Sequence, residues 1–245
     1  MSLFTFYEVG GKVRDEILGL TSKDVDYTVV PSEDLLKDIG SPHTMFNILE
    51  GFLKEEGFEI FLVTPDCFTI RAKFPKDHIH SGLVADFVMA RKETGYIMGT
   101  RTPIVLPGTL EDDLTRRDFT VNAMAKDIDG NIIDLFGGME DLKNMVLKTP
   151  LHTKETFDDD PLRIIRAIRF SITKGFSLRH LDYYINNYDY ESKMSVVSAE
   201  RIREELYKCF KYDTMRTLDI LDQYPTLKRY IFENKLMWLK PTMEQ

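Results

Sequence analysis

Short apolar runs, separated by glycines, prolines and polar stretches, occupy the first part of the chain. Their length and their content of β-branched and aromatic residues are typical of strands. The predicted strands are Phe4–Val9, Asp24–Val30, Phe58–Val63, Phe68–Phe74, Leu83–Ala90 and Ile132–Phe136. The third and fourth of these are close enough in sequence to form a hairpin across Thr64–Asp66.

Apolar residues spaced three and four apart predict helices between these strands and through the rest of the chain. The predicted helices are Val13–Leu20, Phe46–Glu56, Asp118–Ala125, Pro161–Phe170, Ala199–Phe210 and Thr214–Leu221. Three glycines and two prolines in the stretch that follows Ala90 and ends at Gly108 predict a mobile loop. The pattern therefore predicts an α+β protein, with a mixed α/β head near residues 1–140 and an all-α remainder.

The composition is that of an ordinary globular protein, since the 245 residues are 43% hydrophobic and 29% charged. No apolar stretch approaches the length of a membrane span, so we expect no membrane partner. Cys67 and Cys209 lie far apart in the sequence and are interpreted as free thiols. We therefore expect a cytoplasmic protein.

The charge of the chain is divided unevenly along its length. A net charge of −8 for the whole chain argues against a nucleic-acid binder. Residues 161–245, however, hold 15 Lys and Arg against 11 Asp and Glu, a net charge of +4, whereas residues 1–160 hold 17 against 29, a net charge of −12. An acidic part suits a metal-binding catalytic domain, and a basic part suits contact with a phosphate backbone.

A glycine pair, Gly10-Gly11, precedes the first predicted helix, and Asp24 and Asp26 lie in the next strand. Glycines at the start of a helix let backbone N–H groups approach a phosphate without interference from a Cβ atom. Aspartates two residues apart in a strand project from the same face and can hold magnesium ions. Taken alone, the aspartates would be the solvent face of an amphipathic strand. Together with the glycine pair they favour a nucleoside triphosphate site.

Asp86 lies in another predicted strand and is the candidate for a third carboxylate. For this residue, a catalytic role and a merely exposed position are nearly equally supported. Such carboxylates would serve nucleotidyl transfer, in which one metal ion activates an attacking hydroxyl and a second steadies the leaving pyrophosphate. The absence of H-E-x-x-H, nucleophile-elbow and CxxC patterns leaves protease, hydrolase and zinc-site functions without support.

A second motif contains Arg116, Arg117, Asp118 and Asn122. Guanidinium groups bind phosphate oxygens in pairs, so two arginines beside an aspartate can hold a triphosphate and its sugar. A salt-bridge cluster at the start of a helix would explain the charges. It would not explain Asn122, which lies one turn after Asp118 on the same face of the predicted helix.

A third motif places Asp160 just before a predicted helix that carries Arg163, Arg166 and Arg169 at intervals of three residues. A capped surface helix would account for the aspartate. Three arginines on one stripe, with no acidic residue four positions away within the helix, would repel one another unless an anion binds them. We therefore expect this stripe to contact phosphate.

Together these motifs resemble those of the bacterial and eukaryotic CCA-adding tRNA nucleotidyltransferases and the bacterial poly(A) polymerases, which belong to the DNA polymerase beta-like superfamily. The resemblance runs from Tyr7 to about Phe210. It implies that Asp24 and Asp26 bind Mg²⁺, and Asp86 is our candidate to assist them. The nucleotide-binding residues that match the family are Gly10, Gly11, Arg14, Arg117, Asp118, Asn122, Asp160, Arg163, Arg166 and Arg169.

The family's E-D-x-x-R motif implies that the protein itself serves as the template. Its Asp and Arg pair with the incoming base, and these residues match Asp160 and Arg163. Asp159 stands where the family has a glutamate.

The resemblance implies a nucleotidyltransferase head with a mixed β-sheet flanked by helices (1–140), an all-α neck with the nucleotide-recognition helix (141–212), and a truncated helical body (213–245). Family members usually continue into body and tail domains that hold the tRNA, whereas only 35 residues follow Phe210. Three explanations stay open. A reduced body grips the tRNA, a homodimer supplies the missing surface, or the substrate is a smaller RNA end.

We therefore predict a template-independent RNA nucleotidyltransferase that adds CMP and AMP, from CTP and ATP, to the 3′ end of tRNA, with Mg²⁺ as cofactor. Alternatives are a poly(A) polymerase, an enzyme that adds only CC or only A, and a nucleotidyltransferase that acts on a small molecule or a protein. An RNA-binding relic without activity is disfavoured, because both metal-binding aspartates are intact.

Overall fold

The computed structural model describes residues 3–21, 25–38, 41–96 and 103–237. The chain divides into two compact units, Met1–Leu142 and Lys143–Gln245. None of the helices in the described ranges is long and apolar enough to cross a membrane.

The first unit contains strands and helices. Its strands are β1 (Phe4–Val9), β2 (Val25–Pro31), β3 (Glu59–Thr64), β4 (Thr69–Lys73), β5 (Val84–Met89), β6 (Arg91–Tyr96), β7 (Pro103–Pro107), β8 (Met124–Lys126) and β9 (Ile132–Asp134). Its helices are α1 (Gly11–Ile17), α2 (Glu33–Asp38), α3 (Pro42–Glu55), α4 (Leu110–Thr115) and α5 (Gly138–Lys143).

Seven of the described strands form one mixed sheet in the order β3-β4-β5-β2-β1-β8-β9. β2 and β5 run parallel, with Asp26 in register with Asp86, and the other neighbours are antiparallel. Since side chains alternate along a strand, Asp26 and Thr28 lie on one face of the sheet and Tyr27 and Val29 on the other. The sheet therefore has a polar face at β2 and an apolar face behind it.

Helix α3 contributes its apolar stripe to the core of the first unit. Met45, Phe46, Leu49 and Leu53 recur at helical spacing and are almost fully buried, in one cluster with Val29 and other apolar residues of the sheet. Ordered packing of this apolar face gives the polar face a rigid support.

The helix predicted over Asp118–Ala125 is wrong. Thr120–Asn122 form a single 3-10 turn, and the chain then enters β8, which pairs with β1 at Glu8 and Val9. The Oδ1 atom of Asp118 accepts hydrogen bonds from the backbone N–H of Phe119 and from Nδ2 of Asn122. Side chains of this type compete with the helical hydrogen bonds, which explains why the periodic pattern does not become a helix.

The segment between Ala90 and Gly108 also differs from the expectation of a loop. Within its described residues, β6 and β7 form a separate antiparallel ladder. The register shifts between Glu93 and Gly95, so the ladder contains an irregularity at the glycine. Gly95, Pro103 and Pro107 therefore lie within paired strands, whereas Gly99 is outside the described residues.

The described part of the second unit is helical. Its helices are α6 (Thr153–Asp159), α7 (Leu162–Lys174), α8 (Asp182–Asn186), α9 (Tyr190–Lys193), α10 (Ala199–Tyr212), α11 (Thr214–Asp222) and α12 (Pro225–Glu233). Helix α7 is followed by Gly175, whose φ of 81° is the left-handed conformation that glycine adopts without strain at the end of a helix. The α+β class, with a sheet-containing head and a helical remainder, is confirmed.

We predict that Gly138→Ala destabilises the first unit. A Cβ atom at Gly138 would lie 2.3 Å from the carbonyl oxygen of Thr120 and 2.9 Å from Cγ of Met124, so the backbone that carries the second motif would have to move. The expected loss in the free energy of unfolding is about 1–3 kcal/mol, measured by denaturant titration.

The matched control is Gly51→Ala in the middle of α3, where nothing lies within 4 Å of an added Cβ atom. It should be neutral or stabilise by roughly 0.5–1 kcal/mol, because alanine has the better helix propensity. Equal effects of the two substitutions would contradict the close approach of α5 to Thr120.

Candidate active site

The chain leaves β1 through Gly10, whose φ of 71° and ψ of −135° favour glycine. A Cβ atom added to Gly10 would lie 3.1 Å from Nη1 of Arg117 and 3.7 Å from Oδ2 of Asp26. The backbone at the glycine pair, a carboxylate and a guanidinium group therefore converge at the end of β1. Three residues that the sequence analysis selected from separate motifs meet at this point.

Asp86 lies on the same face of the sheet as Asp26, because the two are in register on parallel neighbouring strands. Arg71 on β4 is in register with Asp86. The Nε atom of Arg71 donates to Oδ1 of Asp86 and its Nη2 atom donates to Oδ2, both at 2.7 Å. Asp86 is thus placed beside the candidate metal ligand and is held by an arginine.

Asp24, the other predicted metal ligand, lies outside the described residues. Among the residues that the structure describes, no three His, Cys, Asp or Glu side chains are grouped to hold a metal ion. Asp26 and Asp86 nevertheless place two carboxylates on one face, and carboxylate oxygens are the ligands that Mg²⁺ prefers. The described part of the site fits the chemistry of a magnesium ion.

Asp113 on α4 is fully buried and binds both arginines of the second motif, Arg116 and Arg117. Nη2 of Arg117 donates to Oδ2 of Asp113 at 2.9 Å and to Oγ1 of Thr28 at 3.2 Å. The Thr28 hydroxyl in turn donates to Oδ2 of Asp113 at 2.7 Å. Burial alone would raise the pKa of Asp113, but the two guanidinium charges and the Thr28 hydrogen bond hold it well below its usual range. The ionised carboxylate therefore orients Arg117 next to β2.

A second network joins α1 to the same motif. Arg14 is buried, and its Nη1 atom donates to Oδ1 of Asn122 at 2.5 Å while its Nε atom donates to Oδ1 of Asp15 at 2.8 Å. Nδ2 of Asn122 donates to Oδ1 of Asp118 at 2.9 Å. A Cβ atom at Gly11 would lie 3.4 Å from Nη2 of Arg14. The predicted contact between Asp118 and Asn122 is thus present, although the turn that makes it is not an α-helix.

In the second unit, Asp160 and Arg163 lie at the turn between α6 and α7, where the backbone N–H of Arg163 donates to the carbonyl oxygen of Asp160 at 3.0 Å. Oδ1 of Asp160 accepts a hydrogen bond from the backbone N–H of Leu162 at 3.0 Å, so the carboxylate caps α7. Nη1 of Arg163 donates to the carbonyl oxygen of Thr156 on α6 at 3.2 Å. Both side chains are partly exposed. The turn therefore holds a carboxylate and a guanidinium group in a defined arrangement at the surface of this unit.

Arg169 has an acidic partner that the sequence analysis did not foresee. Its Nε atom lies 2.5 Å from Oε2 of Glu205 on α10. Burial would raise the pKa of Glu205, but Arg169 lowers it, with smaller contributions from Lys208 and Arg166. The expectation that Arg169 needs an outside anion is therefore wrong, because a carboxylate of the protein neutralises it.

A cavity of about 670 Å³ lies on the opposite face of the sheet from Asp26 and Asp86. Its aromatic lining includes Phe6, Tyr27 and Phe87. Tyr27 and Phe87 directly follow the two aspartates in their strands, so their side chains point to the other face. None of the described candidate residues lines this cavity.

Asp113, Arg71 and Glu205 shape these sites but were not selected from the sequence. The pairing of Asp113 could have been predicted from the sequence. The residue lies three and four positions before the arginines that it binds, which is the spacing at which helical side chains meet. Arg71 and Glu205 contact residues 15 and 36 positions away, and no local pattern shows such contacts.

A family model for the poly(A) polymerase head domain matches residues 6–148. The chain is 32% identical to the multifunctional CCA protein of Pseudoalteromonas atlantica over 244 residues, which are 95% of this chain and 52% of the relative. It is also 32% identical to the CCA-adding enzyme of Lactobacillus helveticus over 207 residues, which are 84% of this chain and 46% of that enzyme. The chain spans about half the length of the curated relatives that it matches.

Solved structures with a similar fold include the Thermotoga maritima CCA-adding enzyme in complex with tRNA, with a TM-score of 0.66 and 25% identity. The match covers 97% of this chain and 50% of that enzyme. The Bacillus stearothermophilus CCA-adding enzyme in complex with CTP has a TM-score of 0.67 and 26% identity over 89% of this chain and 47% of that enzyme.

We predict that Asp113→Asn destabilises the first unit, because it removes the charge that pairs with two arginines. Breaking a buried ion pair costs about 3–5 kcal/mol, and we expect the lower end because both arginines are partly exposed. The exposed Glu111→Gln on the same helix should change the free energy of unfolding by less than about 0.5 kcal/mol.

The effect should depend on pH. A carboxyl group whose pKa is lowered by folding stabilises the protein above its unfolded pKa, near 3.8, and this contribution is lost as the pH falls toward the folded pKa. The difference between wild type and Asp113→Asn should therefore shrink below about pH 4. A difference that stays constant into strong acid would show that the carboxylate is not ionised in the folded protein.

Proposed function

The chain belongs to the poly(A) polymerase head-domain family that includes the CCA-adding nucleotidyltransferases, and on this basis we propose that it adds CMP and AMP, from CTP and ATP, to the 3′ end of tRNA. The observation that supports this most directly is the convergence of Gly10, Asp26 and Arg117, with Asp86 in register beside Asp26. Backbone amides, carboxylates and a guanidinium group are the elements that nucleotidyl transfer requires.

Nucleotidyltransferases of this family are generally metal-dependent, and we propose that the metal here is Mg²⁺, held by Asp24 and Asp26 with help from Asp86. When bound, it would lower the pKa of the attacking 3′ hydroxyl and neutralise charge on the leaving pyrophosphate. The protein supplies the fixed geometry, since Asp26 and Asp86 belong to adjacent paired strands.

Arg117 and Arg14 would bind the triphosphate and the sugar, together with Asp118 and Asn122. The buried Asp113 and the Asn122 amide hold the two guanidinium groups before any ligand arrives. Donors that are oriented in advance lose little entropy on binding, which favours the transfer step.

In the second unit, we assign base selection to Asp160 and Arg163. A carboxylate acceptor and a guanidinium donor match the amino group and the ring nitrogen that cytosine and adenine both present. Guanine and uracil present a carbonyl oxygen in place of that amino group, which would face the carboxylate without a proton between them. Arg166 and Arg169 lie on the same stripe of α7 as Arg163 and would stabilise this region. Arg169 would do so through its ion pair with Glu205.

We propose that residues 1–140 are the catalytic head, 141–212 the neck and 213–245 part of a helical body, with a cytoplasmic location and tRNA as partner. The Thermotoga maritima enzyme has been solved with tRNA. A poly(A) polymerase remains the second candidate, because the matching family model bears that description.

The transfer function predicts that Asp26→Asn abolishes incorporation of labelled CMP into a tRNA that ends before CCA. Loss of a metal-binding carboxylate should reduce the rate on the order of a hundredfold or more. Asp66→Asn, an exposed aspartate of the same unit, is the control and should keep the wild-type rate. If Asp26→Asn still transfers CMP in a magnesium-dependent reaction near the wild-type rate, Asp26 is not a metal ligand of the site.

Base selection is tested with Asp160→Asn and Arg163→Gln in a competition among the four triphosphates. The amide oxygen of asparagine can keep the cap on α7, while its NH₂ group can donate to the carbonyl oxygen of uracil or guanine. An unpaired buried polar group costs about 1–3 kcal/mol, so discrimination against UTP and GTP should fall tenfold or so.

The control for this competition is Arg201→Gln, an exposed arginine at the start of α10, which should leave the preference for CTP and ATP unchanged. If Asp160→Asn and Arg163→Gln merely slow the reaction and retain the wild-type preference, both residues have structural roles only.

A further inference from the structure

Arg71 is a charged residue on the polar face of the sheet that the proposed reaction does not use. It lies on β4, opposite Asp86, and forms two parallel hydrogen bonds of 2.7 Å with that carboxylate. Half of the Arg71 side chain is exposed, at 52%, whereas Asp86 is 25% exposed. The fork of the guanidinium group thus occupies both oxygens of the third carboxylate of the candidate metal site.

A fork-to-fork pair is the strongest arrangement that an arginine and a carboxylate can form, and it fixes the plane of the carboxylate. The same two oxygens are the ligands that a divalent cation would use. A guanidinium charge that remained at this distance from a bound cation would also repel it. The arginine and a metal ion at Asp86 are therefore in competition for one group.

Lys73, a second positively charged residue on β4, serves as a comparison for Arg71. Lys73 lies two residues further on, so its side chain is on the same face as that of Arg71. It pairs with Glu59 on β3 at 3.4 Å, away from Asp86. Arg71 and Lys73 thus carry the same charge on the same strand face, but Arg71 alone of the two pairs with the candidate metal ligand.

We propose that Arg71 is a positioning residue that competes with the metal ion for Asp86 and so sets the metal concentration at which the site loads. In the metal-free protein, Arg71 compensates the charge of Asp86 beside Asp26. When a metal ion binds, Asp86 exchanges its guanidinium partner for the cation, and the side chain of Arg71 moves toward solvent. The inference rests on the proposed function, since it takes Asp86 as a metal ligand.

The test measures metal binding directly, with Mn²⁺ as the probe and without nucleotide or RNA. Free Mn²⁺ is counted by electron paramagnetic resonance during titration of wild type, Arg71→Gln, Lys73→Gln and Asp86→Asn. Partly exposed ion pairs of good geometry correspond to a change of about two- to fivefold in an equilibrium constant. Arg71→Gln should therefore bind Mn²⁺ about two- to fivefold more tightly than wild type, and Lys73→Gln should differ from wild type by less than about twofold.

The double variant Arg71→Gln/Asp86→Asn decides whether the effect passes through Asp86. If it does, Arg71→Gln should have no effect on Mn²⁺ affinity in the Asp86→Asn background. A gain that persists in that background would overturn the proposal, because Arg71 would then act only as a distant charge. Weaker or unchanged Mn²⁺ binding by Arg71→Gln, or no Mn²⁺ binding by wild type, would also overturn it.

A damaged fold cannot imitate the expected result, because misfolding weakens metal binding and the prediction is a gain. The outcome is also separable from that of the proposed function. If the Mn²⁺ affinities respond as expected but tRNA receives no nucleotide, the competition stands and the substrate assignment fails. If transfer to tRNA occurs and the affinities do not respond, only the role of Arg71 fails.

Discussion

Asp113 is fully buried, and a buried carboxylate must be paired with positive charges or hydrogen-bond donors. The rest of the head depends on this pairing. The partners of Asp113 are Arg116, Arg117 and Thr28, which come from the second motif and from the central strand β2. The pairing therefore ties the segment after α4 to the strand that carries Asp26. Asp113 holds Nη2 of Arg117, and Nη1 of the same guanidinium group lies 3.1 Å from where a Cβ atom at Gly10 would be.

The same constraint extends to the start of α1. Arg117 is followed by Asp118, whose carboxylate binds Asn122, and the amide oxygen of Asn122 accepts a hydrogen bond from Arg14. Residues 113–122 thus hold the guanidinium groups of both Arg117 and Arg14 near the glycine pair. The parallel register of β2 and β5 adds the third component, because it sets Asp86 beside Asp26. Arg71 pairs with Asp86 on this face, and in the proposed competition its charge opposes the binding of a metal ion there.

Much of this arrangement could be predicted from local pattern, because strands, glycine turns and the D-x-D spacing are local features. The sequence also indicated that Asp118 and Asn122 meet. It assigned that contact to a helix, whereas the Asp118 side chain itself replaces the helical hydrogen bonds. The contacts of Arg71 with Asp86 and of Arg169 with Glu205 were not predictable in this way, since each joins residues that are distant in sequence. Arg169 is an example. The sequence analysis expected an outside anion to bind it, whereas a carboxylate of another helix does so. The pairing of β6 with β7 was missed because Gly95, Pro103 and Pro107, residues typical of loops, lie within these strands.

The most direct test of CCA addition uses three tRNA transcripts, which end before CCA, after the second C, and after the complete CCA. Each is incubated with the purified protein, Mg²⁺ and one labelled triphosphate at a time, and the product length is read at single-nucleotide resolution. A CCA-adding enzyme extends the first transcript with CMP, adds a single AMP to the second, and leaves the third unchanged. Continued addition of AMP to all three transcripts would contradict CCA addition and identify the protein as a poly(A) polymerase.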